Sequence, residues 1–328
     1  MNDQHGHRDD PAKHHQHVGH HHEVSHDADR RCLTAALLLI TAFMAVEVMV
    51  GLAAGSLALI SDAAHMLTDA LSLVLALAAM RLARRPARGQ WTFGLKRAEI
   101  LSAQVNGITL LLLGGVLGYE AIRRLITPPE VDGRLMLATA AAGVVINVIA
   151  VYLIGRANRT SLNVEGAFQH ILNDLWAFTG TAVAGLVAWL TGFARADALA
   201  SLVVVALMFK AGYQLVRESW KILLEAAPTG LDPEQVGSEL AAWRGVSEVH
   251  DLHIWTITSG YPALSAHVLV DDGHDCHTVR DELQDHLMRS YDISHVTLQV
   301  DHAAPPAPAT RAATHCADPH GTVHRATR

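Results

Sequence analysis

The sequence is poor in charged, aromatic and cysteine residues, and each shortage excludes a class of protein. Charged residues make up 17% of the 328 residues, against about 25% in ordinary soluble proteins. The cysteines, Cys32, Cys276 and Cys316, form no Cys-x-x-Cys pair, so neither a disulfide framework nor a thiolate metal cage is indicated. Aromatic residues are only 5%, and no basic, aromatic-rich surface suggests nucleic-acid binding. Half of the residues are hydrophobic, which favours a membrane protein with a polar appendage.

Six apolar segments reach the length of roughly 20 residues that a helix needs to cross a bilayer. They lie at 32–53, 57–82, 98–122, 134–155, 166–191 and 196–217, within a six-span transmembrane domain predicted over 31–222. Lysine and arginine number 12 on the side of the termini and four on the opposite side. Because positive residues favour the cytoplasmic side, both termini are predicted to be cytoplasmic.

The segment after the last span predicts a small domain over residues 223–302. Its pattern indicates helices at 232–243 and 275–290 and strands at 247–258, 262–270 and 295–301. The strands are rich in β-branched residues or alternate apolar with polar ones. The order α-β-β-α-β is typical of an α+β domain with helices on one face of a sheet. The predicted fold class is therefore an all-α transmembrane domain followed by a small cytosolic α+β domain.

The two ends of the chain are polar. Nine of the 22 histidines lie within the first 26 residues. With nothing apolar to bury, residues 1–30 are predicted to be a disordered, His-rich cytosolic arm that collects metal; a cloning tag is the alternative. Residues 303–328, rich in Pro and Ala, are predicted to be a disordered tail.

A four-residue spacing of histidine and aspartate occurs twice inside the spans, as His65-x-x-x-Asp69 and His170-x-x-x-Asp174. Residues four apart share one face of a helix, so each pair can aim an imidazole and a carboxylate at one point. Together they offer two nitrogens and two carboxylates, a tetrahedral set suited to a divalent ion such as zinc. Ionisable groups at membrane depth are costly and functional by default. The alternative is that single residues of this kind only bond neighbouring helices.

Three stretches resemble motifs of the cation diffusion facilitator family, zinc exporters with six spans and a cytosolic C-terminal domain. They are GSLALISDAAHMLTD at 55–69, TFGLKRAEIL at 92–101 and HDLHIW at 250–255. The resemblance covers about residues 30–302. It implies metal/proton antiport by a homodimer. The set His65, Asp69, His170 and Asp174 matches the family's transport-site positions and is similar to the zinc- and cadmium-preferring branch.

The resemblance also implies a cytosolic metal site. His250, His267 and Asp301 match positions that bind zinc at the dimer interface in relatives, and His277 matches a further position. The partner of His277 on the last strand is Gln299, a poor zinc ligand. His253 either joins this cluster or is only a strand residue. The alternative for all these histidines is that they are partly exposed surface residues.

One further metal site of some relatives is predicted to be absent, because residues 81–98 contain neither Asp nor His.

The sequence thus predicts a transporter and not an enzyme. It is expected to export Zn²⁺, with Cd²⁺ and Co²⁺ as alternatives, in exchange for H⁺, and to lie in a bacterial inner or plasma membrane. Zn²⁺ is both the substrate and a structural or regulatory ion; no catalytic cofactor is predicted. The sequence lacks the Gly-x-x-x-x-Gly-Lys-Ser/Thr loop of ATP-driven machines, which favours secondary transport. The alternative function is a membrane-anchored zinc sensor or buffer.

Overall fold

A computed structural model describes residues 26–54, 57–128, 133–193, 195–303 and 321–325. The first part consists of six long helices. They are α1 His26–Ala54, α2 Leu57–Ala83, α3 Ala98–Ile126, α4 Gly133–Gly155, α5 Leu162–Thr191 and α6 Ala196–Leu223. Each contains a stretch long and apolar enough to cross a membrane. The six predicted spans are therefore confirmed.

The helices form two groups around separate apolar cores. Helices α1, α2, α4 and α5 bury Leu33, Leu73, Ile154 and Ile171 together. Helix α3 packs against α6. At that crossing a Cβ added to Gly212 would lie 2.8 Å from the Gly107 carbonyl oxygen, so only glycine allows this approach. The grouping leaves α2 and α5, which carry the two predicted His-Asp pairs, in direct contact.

Four helices extend at least four residues beyond their predicted bounds, because polar residues continue a helix past its apolar run. One of them is α3, which continues to Ile126. Helix α5 begins at Leu162, α6 continues to Leu223 and α1 begins at His26. In α1 the buried carboxylate of Asp29 accepts a hydrogen bond from the Asn158 N–H at 2.8 Å. The predicted arm, drawn to residue 30, thus includes the first turn of α1; residues 1–25 lie outside the described ranges.

The second part is a mixed sheet covered by two helices. Its elements are α7 Pro233–Ala241, β1 Val246–Thr258, β2 Tyr261–Val270, α8 Cys276–Tyr291 and β3 His295–His302. Strands β1 and β2 are an antiparallel hairpin turning at Ser259–Gly260, and β3 runs parallel to β2 after the α8 crossover. The core includes Val249, Val268, Leu283 and Leu287. The predicted fold class is confirmed.

A short fourth strand differs from the predicted disordered tail. Strand β4, His324–Arg325, pairs antiparallel with Val249 and Glu248 of β1 and gives the strand order β3-β2-β1-β4. His324 is buried against Gly237 of α7. A two-residue strand carries no sequence period of its own, which explains why the pattern did not predict it.

Candidate metal centres

The first cluster lies between α2 and α5. Asp69 of α2 and His170 and Asp174 of α5 each place one ligand atom within 4.8 Å of the others. His170 Nε2 lies 3.0 Å from Asp69 Oδ1. His170 is 1% exposed and Asp69 is 5% exposed. The structure therefore unites residues that are a hundred positions apart in the chain.

The charges of this cluster favour a cation. A positive ion between two carboxylates this close together offsets the repulsion between their charges. Burial strengthens that effect, since water screens charges poorly there. A set of imidazole nitrogen and carboxylate oxygens is also one that zinc accepts. The arrangement can therefore hold either a divalent ion or protons.

The fourth predicted member, His65, belongs to α2 and precedes Asp69 by four residues. Its side chain lies outside the described part of the structure, so three of the four predicted residues are seen together.

A hydrogen bond between the two helices positions this cluster. The Asn163 side-chain amide of α5 donates to the carbonyl oxygen of Ala76 in α2 at 2.9 Å, and both groups are buried. Asn163 lies two helical turns before His170, and Ala76 two turns after Asp69. Asn163 was not among the residues predicted from the sequence. Its position on the face of α5 that carries His170 is the feature of the sequence that could have indicated it.

The second cluster lies on the β1–β2 hairpin. His250, Asp251 and His267 have ligand atoms within 4.8 Å of one another. His250 and His267 are directly opposite in the antiparallel register, with ring centroids 5.3 Å apart. His267 Nδ1 lies 3.4 Å from Asp251 Oδ2. Glu248 approaches the same site, with Oε1 3.2 Å from His250 Nδ1.

Asp251 is the carboxylate that lies with His250 and His267 within one chain, and the predicted Asp301 is not part of that group. Asp301 is exposed on β3, and its carboxylate accepts a hydrogen bond from the Gln299 amide at 3.0 Å. Asp251 has a positive φ of 50° at a register shift after His250. That irregularity turns its carboxylate toward His267, and the alternation of a regular strand would not predict it.

The two remaining candidates are not among the residues whose ligand atoms are grouped in the two clusters. His253 is exposed on β1 opposite Ser265. His277 is exposed in the first turn of α8, beside the capping Asp275.

Comparison with known protein families matches nearly the whole described chain. Residues 33–224 match the cation efflux transmembrane domain, and residues 228–303 match the cytoplasmic domain of cation efflux proteins. The chain belongs to the cation diffusion facilitator family. The resemblance seen in the sequence motifs is confirmed.

Individual relatives align along most of their length. A Bacillus velezensis protein named cadmium, cobalt and zinc/H(+)-K(+) antiporter is 35% identical, over 88% of this chain and 93% of its own. The zinc transporter ZitB of Escherichia coli is 37% identical, over 86% of this chain and 92% of its own. The metal-bound C-terminal domain of the CzcD transporter from Cupriavidus metallidurans is 39% identical, over 22% of this chain and 99% of its own, with a TM-score of 0.21.

Membership in this family decides the class of protein. Its members are transporters, so the predictions of an integral membrane transporter and of no enzymatic activity are confirmed. The cytoplasmic domain is of a type named for dimerisation, in agreement with the predicted homodimer.

Proposed function

We propose that this cation efflux protein exports Zn²⁺ from the cytoplasm in exchange for protons. His65, Asp69, His170 and Asp174 form the transport site in this proposal. The cluster of buried Asp69, buried His170 and half-buried Asp174 carries it, since a helix bundle that serves only as an anchor gains nothing from placing these groups between its helices. Cd²⁺ and Co²⁺ suit the same ligands and are the expected alternative substrates.

Competition between metal and protons at this cluster supplies the coupling. Imidazole and carboxylate groups must be deprotonated to bind a metal, and histidine titrates within the range of cellular pH differences. Protons arriving from outside therefore displace the bound ion, and the ion arriving from the cytoplasm displaces protons. Rocking of α2 and α5 about the site would expose it alternately to the two sides, as in many secondary transporters.

The cytosolic cluster binds a second, retained zinc ion in this proposal. His250 and His267 supply nitrogens, and Asp251 supplies a carboxylate from the same hairpin. Asp301 joins the site across the interface of the homodimer, as the family motif implies. His253 and His277 remain weaker candidates. Both chain termini lie in the cytoplasm, and the protein resides in a bacterial inner or plasma membrane.

A sensor or buffer is the competing function, and a flux measurement separates the two. Purified protein in vesicles that contain a zinc-responsive dye should accumulate zinc when a pH gradient is imposed. The flux should depend on the direction of that gradient and vanish when it is collapsed. Zinc binding without any flux across the vesicle membrane would favour the sensor.

A further inference from the structure

The tip of the β1–β2 hairpin is seated on the membrane domain. Thr258 Oγ1 donates to the Lys96 carbonyl oxygen at 3.2 Å, just before α3 begins. Ser259 Oγ accepts a hydrogen bond from the Leu162 N–H at 3.0 Å. Lys96 Nζ lies 4.0 Å from the centroid of the Tyr261 ring. The neighbouring residues Thr258 and Ser259 therefore contact the chain where two different membrane helices, α3 and α5, begin.

The contact with Leu162 caps a helix from another domain. The first N–H groups of a helix have no partner within it and are usually capped by the residue that precedes it. In α5 that residue, Ser161, makes no side-chain cap. The hydroxyl of Ser259 supplies an acceptor instead, from a position 97 residues further along the chain.

The capped helix carries two of the transport residues. Leu162 is the first residue of α5, and His170 follows about 12 Å further along the axis, at 1.5 Å per residue. The adjacent residue, Asn163, holds α5 to α2 through its bond to Ala76. The first turn of α5 is thus bonded both to the cytosolic domain, through Ser259, and to α2, through Asn163.

The same hairpin carries the cytosolic cluster. His250 lies on β1 and His267 on β2, and the two strands remain paired from there to Thr258 and Tyr261. Two register shifts interrupt this pairing, one after His250 and one after Thr256, but no loop lies between the cytosolic cluster and the tip. The cytosolic cluster and the α5 cap therefore belong to one hairpin.

We propose that Ser259 is a positioning residue for transport, because its interdomain cap sets α5 relative to α2. This inference rests on the proposed zinc/proton exchange and adds the contact that couples the two domains.

Two variants remove the same hydrogen bond from opposite ends. Ser259→Ala removes the acceptor, and Ser259→Thr retains it. Leu162→Pro removes the donor N–H. Proline is tolerated at the first helical position, and the extended backbone of Ser161, with φ −71° and ψ 121°, suits a residue before proline. Leu162→Ala shortens the side chain but keeps the N–H, and Ser238→Ala removes an exposed hydroxyl elsewhere in the cytosolic domain.

The maximal zinc flux should fall about 2- to 30-fold in Ser259→Ala and in Leu162→Pro, the range expected for losing one helix cap. The zinc concentration for half-maximal flux should change little, because no ligand is altered. Ser259→Thr, Leu162→Ala and Ser238→Ala should resemble the wild type. The double variant Ser259→Ala/Leu162→Pro should lose no more than either single variant, since the bond is already absent. Hydrogen exchange at the first amides of α5 should be faster in Ser259→Ala.

Wild-type flux in both Ser259→Ala and Leu162→Pro would overturn the inference. Equal losses of flux in Leu162→Ala and Leu162→Pro would also overturn it. A third contradicting result would be a loss of flux that is the same in Ser259→Ala and Ser259→Thr and that follows a loss of thermal stability. Failure of the wild type to move zinc at all would overturn the proposed function instead, and the exchange measurement would still report the cap.

Discussion

The two metal-ligand clusters of this protein are built in opposite ways. In the membrane, Asp69 comes from α2 while His170 and Asp174 come from α5. In the cytosolic domain, His250, Asp251 and His267 all come from one hairpin whose strands are hydrogen-bonded to each other. A site shared between helices changes whenever those helices move, whereas a site within a hairpin keeps its geometry when the domain moves as a unit. The first construction suits an ion that must be released, and the second suits an ion that is retained.

The two clusters also differ in how far their histidine side chains are exposed. His170 is 1% exposed among apolar helices, while the side chain of His267 is 33% exposed. Charge is therefore poorly screened in the membrane cluster, and removal of a single carboxylate there has large consequences. In the cytosolic cluster His250 is also 1% exposed, so only part of that cluster meets the solvent.

The largest effect is expected from Asp69→Asn, which keeps the size of the side chain and removes its charge. Zinc flux in vesicles should fall about 100-fold or more, since removing one partner of a buried charged pair costs about 3–5 kcal/mol. Asn147→Ala is the matched control: Asn147 is buried, but its amide donates to the Gly143 carbonyl of its own helix at 3.0 Å. Its flux should stay close to that of the wild type. Flux in Asp69→Asn equal to the control would remove Asp69 from the transport site.

A smaller and different effect is expected from His250→Ala and Asp251→Asn. Each should weaken zinc binding by the cytosolic domain about 10- to 100-fold, a magnitude found even for changes to the second shell of metal sites. Flux should fall far less than in Asp69→Asn. Calorimetric titration of the full-length protein measures the affinity. His253→Ala and His277→Ala remove exposed imidazoles of the same domain and should have weaker effects; equal losses would assign them to the site.

The tail strand offers a third test, since it adjoins only the cytosolic cluster. Arg325 Nε lies 2.9 Å from Glu248 Oε2, and Glu248 contacts His250. A Cβ added to Gly237 would collide with the His324 ring, so Gly237→Ala should detach β4 or cost about 1–3 kcal/mol of domain stability.

In Gly237→Ala, proteolysis measures the detachment of β4 and thermal unfolding measures the loss of domain stability. Zinc flux should be unchanged. The control is Gly273→Ala, because an added Cβ at Gly273 meets nothing within 4 Å. Equal protease sensitivity in both variants would contradict the packing of β4 on α7.

The smallest effect concerns a polar contact that joins α7 to α8. The Tyr291 hydroxyl donates to Glu239 Oε2 at 2.6 Å. Partial burial, together with the hydrogen bond to Glu239, raises the pKa of Tyr291 to about 12 from 10.0. The same bond, with one from Gln235, lowers the pKa of Glu239 below its usual 4.5.

The sign of the pH dependence follows from these directions. The contribution of Tyr291 is complete below pH 10 and is lost as the pH rises toward 12. That of Glu239 is present above its ordinary pKa and is lost as the pH falls through the lowered value. Tyr291→Phe should remove the contribution of Tyr291 and the part of the Glu239 contribution that comes from this bond, and it should cost about 0.5–1.5 kcal/mol near neutral pH. Thermal unfolding across pH measures this; an unchanged profile in the variant would contradict it.

The parts of the fold with a local period were predictable. The six spans follow from long apolar runs, and the hairpin from β-branched strands around Ser259–Gly260. The membrane cluster was predictable as well, because a four-residue spacing in an apolar helix places both groups on one face. His65 remains a prediction, since its side chain lies outside the described residues.

The missed features all depend on irregular or distant contacts. Asp251 reaches His267 only through a left-handed backbone conformation. Strand β4 forms because the chain returns to the edge of β1. Asn163 and Ser259 act on α5 through partners in other elements. None of these contacts leaves a repeating signal in the neighbouring sequence.

The sequence by itself determined which segments cross the membrane and which side chains share a face, because a helix repeats every 3.6 residues whatever surrounds it. Only the tertiary structure decided that α2 meets α5, which carboxylate joins His250, and that the hairpin turn caps the helix bearing His170. Those outcomes depend on packing between segments far apart in the chain, and no local spacing encodes such packing.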